Sequence, residues 1–151
     1  MSTDNADLQR DLAVAGLEGF SERVHLLGVR TDPEAFYAAA DVVALTSAFG
    51  EAAPLCLIEG MMCGAVPVAT DVGDSTAIVS GLGLITRPDA EAVAAAWGEA
   101  TARRSELAPA LIASRSRFGR SRMIASYDRV VRRTARANRG GVVVPRPLVS
   151  G

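Results

Sequence analysis

DVVALTSAFGEAAPLCLIEGMMCGAVPVAT, residues 41–70, decides the fold. It opens with a mostly apolar run, DVVALTS (41–47), and closes with another, VPVAT (66–70). Between them Gly50 and Pro54 interrupt the chain, and an apolar stretch follows that ends at Gly64. Proline presets the backbone of a first helical turn, and glycine takes the left-handed conformation that ends a helix. Residues 54–63 therefore read as a helix between two strands. Strands that do not alternate apolar and polar residues belong to a parallel sheet covered on both faces.

The same rhythm extends in both directions. Residues 4–17 have leucine and valine at helical spacing, with Gly16 near the end, and RVHLLG (23–28) reads as a short strand. Asp32, Pro33 and Glu34 form a helix start, and that helix is expected to run to about Ala40. After VPVAT come the polar turn DVGDS (71–75), a short helical stretch TAIVS (76–80) and a last strand, GLGLITR (81–87). Asp89 caps an alanine-rich helix, Pro109 starts or kinks another, and SRMIASYDRVVRRTARA (121–137) is a final amphipathic helix. Helices between apolar strands predict an α/β fold, a Rossmann-like parallel sheet with helices on both faces, over residues 1–137. The tail, residues 138–151, has glycine and proline breaks and is expected to be extended or disordered.

Composition narrows the function classes. The chain has 151 residues, enough for one domain with a core, and a net charge of −1, which gives no reason to expect nucleic acid as a partner. All sixteen basic residues are arginine. The absence of lysine excludes a Walker phosphate loop, a Schiff-base enzyme and a receiver domain that needs its lysine. Cys56 and Cys63 lie two helical turns apart, too far for a disulfide, and read as buried thiols. His25, the single histidine, reads as strand packing, and RRTARANR (132–139) as a solvated helix end rather than a lipid or nucleic-acid patch. No apolar run is long enough for a membrane span and the N-terminus is polar and acidic, so a cytoplasmic location is expected.

Ligands of open parallel sheets bind outside the carboxyl ends of the strands. Two such ends are well furnished here. The first, after DVVALT, carries Ser47, Gly50, Glu51 and the helix start near Pro54; the second, after VPVAT, carries Asp71, Gly73, Asp74 and Ser75. A helix N-terminus is a natural phosphate site, and the small residues Gly50, Ala52 and Ala53 let a ligand approach its backbone. Glu51 on the same rim can accept hydrogen bonds from hydroxyls, so phosphate plus sugar is the expected ligand chemistry. Glu59, inside the apolar helix, must either emerge into a cleft or have fixed donors, because an unpaired buried carboxylate is costly.

EAAPLCLIEGMMCGAVPVATDVGDSTAIV (51–79) resembles the E-x7-E segment of the retaining GT-B glycosyltransferases of family 4, the glycosyl transferases group 1. The lead-in AAADVVALTS, RVHLLG before a helix, and a trailing helix with Tyr127 follow the same plan, so the resemblance covers roughly residues 5–135. It implies the C-terminal half of a GT-B fold that binds a nucleotide-diphospho-sugar and transfers a hexosyl group to an acceptor hydroxyl with retention. By this resemblance Glu51 is the catalytic carboxylate and contacts hydroxyls of the transferred sugar. The segment of Ala52, Ala53, Pro54 and Leu55 lies along that sugar and the distal phosphate, with Ser47 and Gly50 beside it. Glu59 binds the ribose hydroxyls, and Asp71, Gly73 and Asp74 border the site. No metal or other cofactor is expected, and the chain has no DxD triplet.

Departures from the pattern carry expectations of their own. Ala52 and Ala53 stand where the family has Gly-Phe, Gly60 and Met62 replace alanines, and Asp74 replaces a glycine. The family's N-terminal acceptor domain and its GRxxxxKG strand and turn have no counterpart in the 151 residues, so the first two strands of the half-fold are expected to be lacking. The acceptor, a glycan or glycolipid, would then be held by that missing domain, placing the whole enzyme peripherally at the inner membrane face. The isolated polypeptide is expected to be weakly stable, to self-associate or pair with a complementing chain through an open sheet edge, or to repack RVHLL against DVVALT. A non-catalytic remnant or interaction module is the alternative function.

Overall fold

Residue 66 begins the most deeply set strand of the molecule. In the computed structural model, which describes residues 10, 11, 13–16, 23–25 and 27–139, every residue of VPVAT is buried. The chain divides into two units, Met1–Phe36 and Tyr37–Gly151. In the first, Arg10, Asp11, Ala13 and Val14 are helical, and the Arg30 guanidinium makes two 2.9 Å hydrogen bonds to the Asp32 carboxylate while lying 5.3 Å from the centre of the Phe36 ring. Helix α1, Pro33–Ala39, begins at the expected proline and carries the chain into the second unit.

There the elements run β1 (Val42–Leu45), α2 (Leu55–Cys63), β2 (Val66–Thr70), α3 (Ser75–Val79), β3 (Leu84–Thr86), α4 (Ala90–Ala102), α5 (Arg104–Ala113), a 3-10 turn (Ser114–Phe118) and α6 (Arg120–Arg139). The three strands form a parallel sheet in the order β1-β2-β3, with Val42 opposite Val66 on one side of β2 and Val68 opposite Leu84 on the other. Helices flank the sheet, and the core joins Val66, Val68 and Ala69 of β2 to Leu57 and Met61 of α2, Val79 of α3, Ala100 of α4 and Leu107 and Leu111 of α5. This is the α/β class that the apolar strands predicted.

Two close approaches explain residues that the pattern alone left odd. A Cβ at Gly60 would stand 2.6 Å from Val43 Cγ1, so the glycine lets α2 sit directly on β1. Pro67 lies in the central strand, where a missing N–H is normally excluded. The neighbouring Val66 N–H donates to the Asp41 carbonyl on the β1 side, so alternation turns the Pro67 nitrogen toward β3. The β3 ladder starts only at Val68, and Gly83 lies against the proline ring, where a Cβ would come within 2.4 Å. The strand thus loses no ladder bond at Pro67.

Helix ends follow their sequence signals. Gly64 (φ +93°) closes α2: its N–H donates to the Met61 carbonyl and that of Ala65 to the Gly60 carbonyl, the paired bonds of a Schellman motif. Arg115 adds a side-chain hydrogen bond to the Met62 carbonyl in the same last turn. Asp89 caps α4 by accepting from the Ala92 N–H at 2.9 Å. Pro109 falls inside α5 rather than at its start.

Four expectations need correction. Residues 23–25, 27 and 28 form no strand, and β2 is the ladder partner of β1 among the described residues. The physical reason is pairing: a short run becomes a strand only beside another that completes its hydrogen bonds, and these residues have no ladder partner among the described ones. His25 is accordingly exposed rather than packed. Cys56 and Cys63 are only partly buried, because both lie on the flank of α2, away from Leu57 and Met61. The last helix continues through Arg139, past the expected start of the tail, whose remaining residues, 140–151, lie outside the described ones, as does most of residues 4–17.

Candidate functional site

The loop after β1 and the turn after β2 are tied into one rim. The Thr70 hydroxyl, fully buried at the end of β2, donates to the Ser47 carbonyl at 2.5 Å, and the Ser47 hydroxyl donates to Glu51 Oε1 at 2.6 Å. The Asp74 N–H donates to the Ala52 carbonyl at 3.0 Å. Gly73 sits between them with φ +58°, and a Cβ there would lie 2.1 Å from the Glu51 carbonyl oxygen. Positive φ and contact with backbone leave room for glycine alone. Ser47, Glu51, Ala52, Gly73 and Asp74 are therefore brought together at the carboxyl ends of β1 and β2.

Asp71 serves the turn itself. Its N–H donates to the Thr86 carbonyl at the end of β3 (3.1 Å), and its carboxylate accepts from the Thr76 hydroxyl (2.6 Å). Ser75 follows, buried, with a hydroxyl that has no hydrogen-bond partner.

Helix α2 rises from this rim. Gly50 (φ +84°), Ala52, Ala53 and Leu55 are exposed, whereas Pro54 is buried and its extended backbone (φ −66°, ψ 107°) forms the N-cap. No side chain caps the helix, so its first N–H groups keep their hydrogen-bonding capacity and partial positive charge. Glu59 lies one turn, about 6 Å, above Leu55. It is exposed on the face opposite the buried Leu57 and Met61, which removes the cost a buried carboxylate would carry.

Three residues that sequence reading did not place in the site lie beside it. Burial raises the pKa of the Cys56 thiol, and the Glu51 and Glu59 carboxylates on either side raise it further, while hydrogen bonding to the Leu57 backbone opposes them. The Tyr37 phenol is pushed up by burial first and then by the Glu59 carboxylate beside it. Glu59 thus has the Tyr37 phenol near it as well as an open face. Phe49, 85 % exposed just before Glu51, is the third newcomer. An aromatic inside a glycine-containing loop was the signal available for it; for Tyr37 the sequence offered only a phenol on a helix two elements away.

A parallel α/β sheet flanked by helices, with a rim of loops at its strand ends, defines the general class, that of Rossmann-like folds. The chain belongs to the glycosyl transferases group 1 family, whose family model matches residues 3–102. That match takes in the whole rim and Glu59 and stops at the end of α4, short of the residue 135 to which the resemblance was expected to reach. No curated protein and no solved structure matches the chain.

Proposed function

We propose that the chain binds a nucleotide-diphospho-sugar as the donor half of a retaining hexosyltransferase. The observation that carries this reading is the joining of Ser47, Glu51, Ala52, Gly73 and Asp74 into one rim beside an uncapped helix start, with Glu59 open one turn above. In this reading Glu51 accepts hydrogen bonds from the sugar, held in place by the Ser47 hydroxyl. The amides at the start of α2 face the pyrophosphate and stabilise the charge that grows as the nucleotide leaves. Glu59 takes the ribose hydroxyls, with the Tyr37 phenol beside it. Ala52 and Ala53 leave the sugar side wide, and no metal is needed to meet the leaving charge.

Chemically, the anomeric carbon–oxygen bond breaks as the diphosphate departs, and the acceptor hydroxyl attacks from the same face. The acceptor is a glycan or glycolipid presented by groups outside this rim, and the reaction is a cytoplasmic one. Titration of UDP-, GDP- and ADP-sugars by calorimetry or NMR, with Glu59→Ala as control, tests the binding. Saturable binding weakened about tenfold or more by the loss of a charged hydrogen-bond partner supports the assignment; no binding of any nucleotide sugar refutes it.

One observation favours a second reading, a non-catalytic remnant or interaction module. Strand β1 has a ladder partner on one side only among the described residues, and the chain holds no lysine for the diphosphate. Turnover of a nucleotide sugar by the chain alone would exclude the remnant.

A further inference from the structure

Thr70 breaks the pattern of its strand. VPVAT is apolar up to this last residue, all five residues are buried, and Thr70 is buried completely. Valine has nearly the same shape, so the threonine hydroxyl weakens the strand unless it finds a partner. That partner lies outside the sheet. The ladder to β1 ends one residue earlier, at Leu45 opposite Ala69, and on the other side Thr70 is paired with Thr86 of β3. The hydroxyl crosses to the loop after β1 and donates to the Ser47 carbonyl at 2.5 Å, two residues beyond the end of that strand. A side chain thus supplies a bond where the ladder has stopped. Branching at Cβ makes the threonine χ1 stiff, so the strand fixes the direction of that bond.

The loop it reaches has little else to hold it. Of residues 46–54 only Pro54 is buried, Phe49, Ala52 and Ala53 are exposed, and Gly50 has a left-handed backbone. The Glu51 carboxylate, half-buried in this loop, receives a hydrogen bond from the Ser47 hydroxyl, 2.6 Å from Oε1. Ser47 is therefore held at one end and acts at the other: Thr70 pins its carbonyl, and its hydroxyl directs Glu51. Beyond Glu51 the backbone is fixed as well, by the Asp74 N–H on the Ala52 carbonyl and by Gly73 against the Glu51 carbonyl. Oε2 has no hydrogen-bond partner among the described residues. One oxygen of the carboxylate orients it, and the other is left for a ligand.

We propose that Thr70 is a positioning residue for the Glu51 carboxylate, acting through Ser47 and touching no ligand itself. Its bearing on sugar recognition rests on the donor-binding reading. The full chain is labelled with carbon-13 at the glutamate carboxyls, and Glu51→Gln identifies the Glu51 resonance by removing it. Without ligand, that resonance is expected to move in the same direction in Thr70→Val and Ser47→Ala, and to return in Thr70→Ser, which keeps the hydroxyl. Thr70→Ala is the second hydroxyl-free variant should valine disturb folding. Calorimetry then compares UDP-glucose with UDP, GDP-mannose with GDP and ADP-glucose with ADP. Thr70→Val is expected to weaken the nucleotide sugar about tenfold and the nucleoside diphosphate less than about twofold, because only the sugar meets Glu51. Added to Ser47→Ala it should cost nothing more, since both act on one carboxylate. A Glu51 resonance that neither hydroxyl-free variant moves overturns the proposal, whether or not any nucleotide binds. Equal weakening of the sugar-bearing and sugar-free ligands does so too, because it would make Thr70 a structural support of the whole loop. A wild-type chain that binds no nucleotide sugar refutes the donor reading alone, and the resonance then decides on Thr70.

Discussion

Helices α2 and α6 are built from opposite materials and hold their shape for opposite reasons. Helix α2 has nine residues, too few to be stable alone, and is held by Leu57, Gly60 and Met61 against the sheet. Helix α6 has twenty residues, buries none of residues 120–137, and relies on length, on good helix formers and on local pairs such as Asp128 with Arg132 at 2.7 Å. The lesson is that helical periodicity alone does not say whether a stripe is core or surface. In α2 the apolar face is spent on folding, and the polar residue left over, Glu59, is what remains available to a ligand. In α6 the stripe beyond the first turns has nothing against it among the described residues.

The largest test of that contrast is truncation. Leu57→Ala is expected to lower stability by about 2–5 kcal/mol, since the side chain is fully buried, whereas Val130→Ala should change it by less than about 0.5 kcal/mol. Denaturant melts of both variants decide it; equal losses would mean that α6 is packed after all. Gly73→Ala comes next, at about 2–4 kcal/mol, from the left-handed backbone and the collision with the Glu51 carbonyl. Its loss of nucleotide-sugar binding should exceed its loss of stability, because the rim itself is displaced.

Gly60→Ala is expected to cost about 1–3 kcal/mol through overpacking against Val43. Adding Val43→Ala should recover part of that cost, which a double-mutant cycle measures; purely additive losses would break the account of α2 seated on β1. The smallest effect is alkaline. The fold keeps Cys56 and Tyr37 protonated beyond their ordinary range. The unfolded chain releases those protons first, so their stabilisation is complete below the unfolded thiol pKa of about 8.5. It then declines as pH rises through that value, and again above about 10 for the phenol. Stability against pH should be flatter in that range for Cys56→Ala with Tyr37→Phe, and an unchanged slope would mean that the fold does not hold these groups protonated.

Much of the fold was legible in local pattern. VPVAT has the same bounds in sequence and structure, Asp89 and Gly64 cap as their types predict, and the helix that carries Glu59 ends where its glycine says. RVHLL was not, because an apolar pentapeptide becomes a strand only when another strand is there to complete its hydrogen bonds. The family segment placed Ser47, Glu51 and Gly73 in order along the chain. Their joining depends on Thr70 reaching the Ser47 carbonyl and on Gly73 lying on the Glu51 backbone, contacts between residues more than twenty positions apart.

By itself the sequence determined the class of fold, the order of most of its elements and the family segment in which the rim residues lie, because these rest on periodicity, caps and short motifs. Tertiary structure alone decided three further things: that Glu59 faces outward beside Tyr37, that glycine at 60, 73 and 83 is demanded by close approach, and that residues 120–137 of α6 are all exposed. Each of these depends on which surfaces meet, and burial is a property of the pair rather than of either segment.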